Sequence, residues 1–468
     1  MSIRKIPTSW NKAIITPIFK KGASSDPRNY RPISLTSVFG KLMERVMVNE
    51  ILLFLCNNNL ISRHQHGFLK KLSTCTNLLE TVNDWTVMLE RGSKVAVAYI
   101  DFTRAFDSVC HSKLLHKLKS YGISGGLLEF IEFYLSNRLH CTRVGTQLSS
   151  SAAIKSGVIQ GSCIGPILFV LFINDIVDKL NSNTYCKLFA DDVKLYASIN
   201  IGISSLQDSL NALYSWALEW QLDISILKCY IIILNRNNRS IFDYNIRFTL
   251  GDAILPYKSV VRDLGVFVDS QLNFNNHIAI ITSKAHQRAS LIFRCFVSKD
   301  PNLLIKAYKT YVRPLLEYNC QVWNPHTISN IFKIEQVQKQ FTKRIPGYSD
   351  LTYLQRLQKL NLESLELRRL RADLLFIYKL IFNKTGMSYN RYFHMQTNNS
   401  NGMQLRRHSY QIRPVNYFKT VRSDQCLFNR APSIWNTLPP DTDFSSLPKF
   451  KSTLTPDVLN VFLKCNFC

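Results

Sequence analysis

Tyr185–Ile199, YCKLFADDVKLYASI, is the stretch on which the fold turns. Tyr185, Lys187 and Phe189 alternate with Cys186 and Leu188, and after Ala190-Asp191-Asp192 the residues Val193, Leu195, Ala197 and Ile199 alternate with polar neighbours. A period of two on both sides of a short break predicts a β-hairpin with two acids at its tip. Upstream, Val95–Ile100 is a continuous apolar run rich in β-branched residues, the pattern of a strand buried on both faces, and it ends in Asp101. If the two elements share a sheet, three carboxylates converge. An Asp-Asp pair taken alone more often solvates a turn, but a second strand-end acid makes a shared site the better reading.

Carboxylate oxygens are what hard divalent ions require, and two such ions roughly 3.5–4 Å apart stabilise the charge of an in-line phosphoryl displacement. Asp101, Asp191 and Asp192 are therefore candidate ligands for two Mg²⁺ ions, with Mn²⁺ as the alternative.

Composition points to the substrate class. The 468 residues carry 58 Lys and Arg against 32 Asp and Glu, a formal charge of +26, spread along the whole chain. That distribution suits a long groove following a phosphate backbone. With 46% hydrophobic residues the chain is long enough for two or three subdomains. The longest apolar run, Ile164–Ile173, falls short of the roughly 20 residues of a membrane span and reads as a buried helix. Met1–Trp10 has charges and Pro7 where a secretory signal needs an apolar core, so an intracellular protein of nucleus or cytoplasm is expected, with its twelve cysteines reduced. Only Cys465 and Cys468 have the spacing of a metal pair, and no second pair completes a zinc site.

Around the deciding stretch, residues 12–35 read as a strand at Ala13–Phe19, a basic loop from Lys20 to Arg31 and a restart at Pro32. Helices are expected over 38–56, with Val38, Leu42, Val46 and Val48–Phe54 on the apolar face, over 74–90, 111–120, 125–136, from Gly165, and around 204–220. Strands are expected at Cys229–Leu234 and Val260–Val268, so the first 270 residues form a mixed α/β unit. Beyond 275 the period is helical, with Leu303–Tyr318 and Ile331–Ile345 amphipathic and basic. Tyr308, Tyr311, Tyr318 and Trp323 could serve stacking or core, and Arg368, Arg369 and Arg371 a solvated face or backbone contact.

Ala98-Tyr-Ile-Asp-Phe-Thr-Arg-Ala-Phe-Asp107, Ser156-Gly-Val-Ile-Gln-Gly-Ser-Cys-Ile-Gly-Pro166 and Phe189-Ala-Asp-Asp192 occur in the order and spacing of the reverse transcriptases of non-LTR retrotransposons, LINE-type transposable elements, and the chain most resembles the jockey-like group. The resemblance extends to Tyr30-Arg-Pro-Ile-Ser34, His66-Gly-Phe68, Asn174-Asp175, Leu264-Gly265 and Arg430-Ala-Pro-Ser-Ile-Trp-Asn436. It implies an α+β, right-hand polymerase: fingers over 1–94, shortened at their start, palm over 95–270, helical thumb over 271–385, and an extension of unknown role over 386–468.

The resemblance also implies an RNA-directed DNA polymerase that adds dNTPs to a DNA primer or target DNA on an RNA template, without membrane contact. Asp101 and Asp191 would be metal ligands with Asp192 beside them. Phe106 would meet the incoming sugar, Phe102 and Gln160 would line the nucleotide site, and Lys20, Lys21 and Arg31 would bind the triphosphate. Lys228 would protonate the departing pyrophosphate. Three positions depart from the family pattern: Ile159 stands where Pro is usual, Arg104 where Lys is, and Ser225 where Asn is common. Losing the proline loosens the loop before Gln160. Full elements carry an endonuclease ahead of the polymerase, and this sequence begins almost at the fingers loop, so a catalytically silent RNA-binding remnant is the alternative reading. A group II intron maturase fits less well, because of Arg430–Asn436.

Overall fold

The computed structural model describes residues 7–136, 138–236, 246–396, 408–420 and 422–465. Cys468, which has metal-pair spacing from Cys465, and the first six residues lie outside them.

In chain order the first half contains β1 (Lys12–Phe19), β2 (Tyr30–Leu35), α1 (Val38–Asn57), α2 (Thr74–Glu90), β3 (Val95–Ile100), the single turn α3 (Ala105–Ser108), α4 (His111–Ser120) and α5 (Gly125–Leu135). Then come β4 (Leu139–Val144), β5 (Gln147–Leu148), β6 (Ala152–Ala153), α6 (Gly165–Ile173), β7 (Tyr185–Phe189), β8 (Asp192–Ser198), α7 (Ile199–Trp220) and β9 (Tyr230–Leu234). The chain forms two compact units. The first comprises Met1–Leu69, Ala96–Ile231 and Phe242–Tyr257.

A four-stranded sheet ordered β7-β8-β3-β9 organises the first unit. Its central strand β3 is buried at five of six positions, which requires cover on both faces and explains why no alternation is visible there. The apolar run at 164–173 is the buried helix expected: every residue of α6 except Pro166 is buried, each large one contributing ~1.5–3 kcal/mol. Among the described residues no helix is long and apolar enough to cross a membrane.

A second sheet, ordered β2-β1-β4-β5, pairs β1 antiparallel to β2 and parallel to β4. β2 starts at Tyr30, so the strand begins two residues before the restart expected at Pro32, and Arg31 lies in the strand and not in the loop before it. An edge strand tolerates a proline because one row of its N–H groups has no partner to meet.

The expected apolar face of α1 holds at Ile51 and Leu52 and fails at Val38, Leu42 and Val46. Met47, Ile51, Leu52, Leu55 and Glu44 face inward, whereas Val38, Leu42 and Val46 are 73%, 52% and 57% exposed. Apolar residues surround this helix, so periodicity cannot choose a face. Glu44 chooses it: the carboxylate accepts Cys163 N–H at 2.5 Å, Ile164 N–H at 3.3 Å and the Tyr134 hydroxyl at 2.7 Å, satisfying donors at the start of α6.

The short ribbon of β10 (Thr249–Leu250) and β11 (Ala253–Ile254) completes the first unit. The second comprises Lys70–Val95, Ile232–Ile241 and Lys258–Cys468, so α2 clusters with the C-terminal residues. The strand expected over 260–268 is instead a hairpin, β12 (Val260–Asp263) and β13 (Val266–Asp269). Leu264 and Gly265, at φ 43° and 92°, make the two-residue primed turn that joins the two strands.

Helices α8 (Asn275–Cys295), α9 (Pro301–Ala307), α10 (Arg313–Glu317), α11 (Cys320–Trp323), α12 (Ile328–Lys343), α13 (Tyr353–Lys359) and α14 (Leu365–Ile381) follow. The helix expected over 303–318 is split by a π turn at Tyr308–Val312, just ahead of Pro314, which has no N–H to continue the ladder. Tyr308 and Trp323 are core; Tyr311 and Tyr318 are exposed.

The arginine cluster on α14 is committed internally. Arg368 pairs with Glu317, Arg371 with Glu363, and buried Arg369 donates to Asn324 at 3.0 Å. Arg430, on α15 (Leu427–Asn436), grips fully buried Asp373 through Nε at 2.9 Å and Nη2 at 3.0 Å. Asn436 bonds both backbone groups of Ile412, so the Arg430–Asn436 motif fastens the C-terminal residues within this unit.

Candidate active site

Asp101 follows the last residue of β3, and Asp191 is the second of two residues joining β7 to β8. These strands belong to one sheet, with β8 next to β3. Burial first, and then the negative charge of Asp101, hold the Asp191 carboxyl above the usual carboxylate range, against the pull of its own backbone N–H, Arg31 and Lys228. The expected convergence thus brings two acids together. Among the described residues no group of three or more His, Cys, Asp and Glu could hold an ion. Asp192 is already the first, exposed residue of β8, opposite Phe189, and strand alternation turns it away from its neighbour.

Backbone contacts fix Asp101. Its carbonyl accepts Ser225 N–H at 2.7 Å, its N–H meets Cys229 Sγ at 3.5 Å, and Thr103 N–H bonds Asp223 O at 2.7 Å. Ser225, in the place of the usual Asn, therefore holds the acid through its backbone. Lys228 Nζ lies 3.0 Å from Asp101 Oδ1, and both side chains are half-exposed. A positive charge is already accommodated at that oxygen.

The hairpin tip is held from outside. Ala190 has φ 56°, the left-handed value that a primed two-residue turn demands and that costs a residue with a Cβ ~1–2 kcal/mol. Gln65, fully buried, accepts Ala190 N–H at 2.9 Å and Gly67 N–H at 2.7 Å on its Oε1. The chain from His64 to His66 runs beside β7, exchanging bonds with Leu188.

Phe106 stacks on Phe169 with ring centres 4.5 Å apart and meets Phe68 edge-on at 6.0 Å, so its ring orientation is set from two sides. Phe102 is a core residue, 3% exposed, edge-on to Trp216 and bridged through its backbone to Ile224.

Gln160 donates Nε2–H to Asp107 Oδ1 at 2.8 Å, and its carbonyl accepts Ser34 N–H of β2 at 2.8 Å. The loop before it is tied down at Gly157 N–H to Val109 O, Val158 N–H to Phe106 O, and His111 Nε2 to Gly157 O. Gly157 is required there: at φ 88° a Cβ would come within 2.7 Å of the Asp107 backbone. These bonds supply the rigidity that a proline at Ile159 would otherwise give. Burial raises the Asp107 carboxyl, opposed by its Gln160 bond and by the charges of Arg104 and Lys20.

Lys20 and Arg31 are therefore within electrostatic reach of Asp107 and Asp191 respectively, and Lys21 is exposed beside Lys20. The sequence pattern assigns no role to Gln65 or Asp107. Each sits in or next to a motif already picked out, but their roles arise from contacts across 125 and 53 residues.

The family model described as reverse transcriptase (RNA-dependent DNA polymerase) matches residues 18–267, more than half of the chain. The RNA-directed DNA polymerase from mobile element jockey of Drosophila melanogaster is 27% identical over 74% of this chain and 39% of its own length. The probable RNA-directed DNA polymerase from transposon BS of Drosophila melanogaster is 27% identical over 78% of this chain and 42% of its own. Among solved structures, apo telomerase from Candida tropicalis is similar over 81% of this chain and 63% of that one, at a TM-score of 0.46 and 10% identity. The chain spans about two fifths of the length of these curated relatives. With Asp101, Asp191, Phe106 and Gln160 inside the matched span, the chain belongs to the reverse transcriptase (RNA-dependent DNA polymerase) family, and it is similar there to the polymerases of jockey-type mobile elements.

Proposed function

We propose that this chain copies an RNA template into DNA, adding dNTPs to a primer. The observation that carries the reading is the like-charged pair Asp101 and Asp191, brought together in one sheet with Asp191 held above its usual range. Two carboxylates that raise each other's cost of ionisation are relieved by a shared cation, so the donor set fits Mg²⁺ or Mn²⁺ held by Asp101 and Asp191, with Asp192 beside them. Such ions lower the charge barrier to phosphoryl transfer when bound.

The remaining roles belong to the protein's own side chains. The Phe106 ring, braced by Phe169 and Phe68, closes the space where a ribose 2′-hydroxyl would sit. Gln160 presents its amide to the nucleotide, with the backbone at Phe102 alongside. Lys20, Lys21 and Arg31 neutralise the triphosphate. Lys228, on a long and exposed stem, moves from Asp101 to donate a proton to departing pyrophosphate. Residues 1–94, 95–270 and 271–385 then serve as fingers, palm and thumb of a right-hand polymerase, the thumb's basic helices meeting the duplex through phosphates.

Extension of oligo-dT on poly-rA with dTTP and Mg²⁺, abolished by Asp191→Asn, is the expected result. Salt-sensitive RNA binding with no extension by folded, template-bound protein would replace this reading with that of a silent RNA-binding protein.

A further inference from the structure

We propose that Gln65 is a positioning residue for Asp191: its buried amide oxygen fixes the strained turn that aims this carboxylate at Asp101. The inference rests on the reading of Asp101 and Asp191 as cation ligands and adds a residue to it.

Three observations converge on the short segment before α2. Gln65 is 0% exposed, and its Oε1 accepts two backbone N–H groups, one from Gly67 and one from Ala190. Two donors on one atom identify that atom as the oxygen and leave the amide a single orientation. Ala190 is the residue at φ 56°, immediately before Asp191, so the bond falls on the point of the hairpin that has most reason to relax. A left-handed alanine persists only where its surroundings over-determine it.

Gly67 makes the approach possible. A Cβ at this position would stand 2.4 Å from Ala190 N and 3.0 Å from the Phe189 carbonyl carbon. The same segment continues into Phe68, whose ring meets Phe106 edge-on at 6.0 Å. One stretch of four residues thus touches both the acid hairpin and the ring proposed to face the sugar. Gln65 and Gly67 are both buried, which is why their role is positioning.

Gln65→Met keeps the length and removes the acceptor of both the Ala190 and the Gly67 N–H groups. Gln65→Glu keeps the acceptor; in this dry site it is a neutral acid whose carbonyl oxygen replaces Oε1, and Nε2 makes no hydrogen bond among the described residues that would be lost. Mn²⁺ binding to the nucleotide-free protein, followed by the electron paramagnetic resonance of the free ion, reads the geometry of Asp101 and Asp191 without requiring turnover.

A folding defect would imitate a positioning defect, so melting temperature and RNA affinity are measured for every variant alongside Mn²⁺ binding. Gln65→Met is expected to weaken Mn²⁺ binding about tenfold, the factor set by the loss of the Ala190 bond, the one of the two that adjoins Asp191, with RNA affinity unchanged. Gln65→Glu restores it to within about threefold of wild type. Gly67→Ala, which pushes on Ala190 directly, weakens it likewise and carries the test if Gln65→Met does not fold. Unchanged Mn²⁺ affinity in Gln65→Met or, failing that variant, in Gly67→Ala overturns the inference. Absence of Mn²⁺ binding by the wild type overturns the underlying reading instead.

Discussion

Replacing Asp107 with alanine removes the acceptor that Gln160 Nε2 meets at 2.8 Å. A hydrogen bond to an ionised acceptor contributes about 1.5–3 kcal/mol, and the lower end applies here because Asp107 is only half-buried. The backbone bonds from Ser34, Val109 and Phe106 hold the loop in place without it, so the loss falls on the orientation of one amide. About 1.5 kcal/mol is roughly a tenfold drop in the population of the aligned side chain. In steady-state primer extension the dTTP KM should therefore rise about tenfold, with kcat changed less than about threefold. Asp107→Asn retains a carbonyl acceptor and should return KM to within about threefold of wild type. An unchanged KM for Asp107→Ala, or equal defects in the alanine and asparagine variants, would rule out this role for Asp107.

An acid whose folded-state pKa lies above its unfolded value penalises the fold whenever it is ionised; the penalty is complete above the folded value and gone below about 3.9. Asp191 is such a group, so Asp191→Asn should raise the melting temperature of metal-free protein at pH 7 by a few degrees, and the gain should vanish near pH 4; a lower melting temperature at pH 7 contradicts it. Lys117 lies among Trp216, Trp220 and Phe172 and pairs with Asp175 at 2.5 Å, so Lys117→Ala should cost about 1–3 kcal/mol in urea unfolding by removing a charged partner from that carboxylate, which keeps its bond from Trp216 Nε1 at 3.1 Å. Burial lowers the Lys117 ammonium to about 8, so its charged form is penalised below that pH and the wild type should gain on the variant as pH rises from 8. Arg430→Ala leaves fully buried Asp373 without its bidentate partner and should cost about 3–5 kcal/mol, part of which Asp373→Leu in the same chain recovers; additive losses in the double variant would count against the pairing.

Elements whose signal is local were legible in the sequence. Val95–Ile100 and Tyr185–Phe189 match residue for residue, because each is a short run ended by its own local break, at Asp101 and at Ala190-Asp191. Thr74–Glu90 matches as well, with Ser73 closing a capping box. What failed depended on distant partners. The buried face of α1 is set by Glu44 reaching residues more than 100 positions away. The site shows the same division. Asp101 and Asp191 were visible as strand-end acids, and Phe106 and Gln160 through the motifs they stand in. Gln65 was invisible because a lone glutamine ahead of a glycine announces nothing until the hairpin it supports lies beside it.

Whether Asp101 and Asp191 carry the chemistry is decided by primer extension on poly-rA by the wild type and by Asp101→Asn and Asp191→Asn, with RNA binding measured in parallel. Extension by the wild type, its loss in both variants and equal RNA affinity in all three are predicted. Extension that survives either substitution would contradict the assignment of these two carboxylates, and none by folded, RNA-bound wild type would contradict the activity itself.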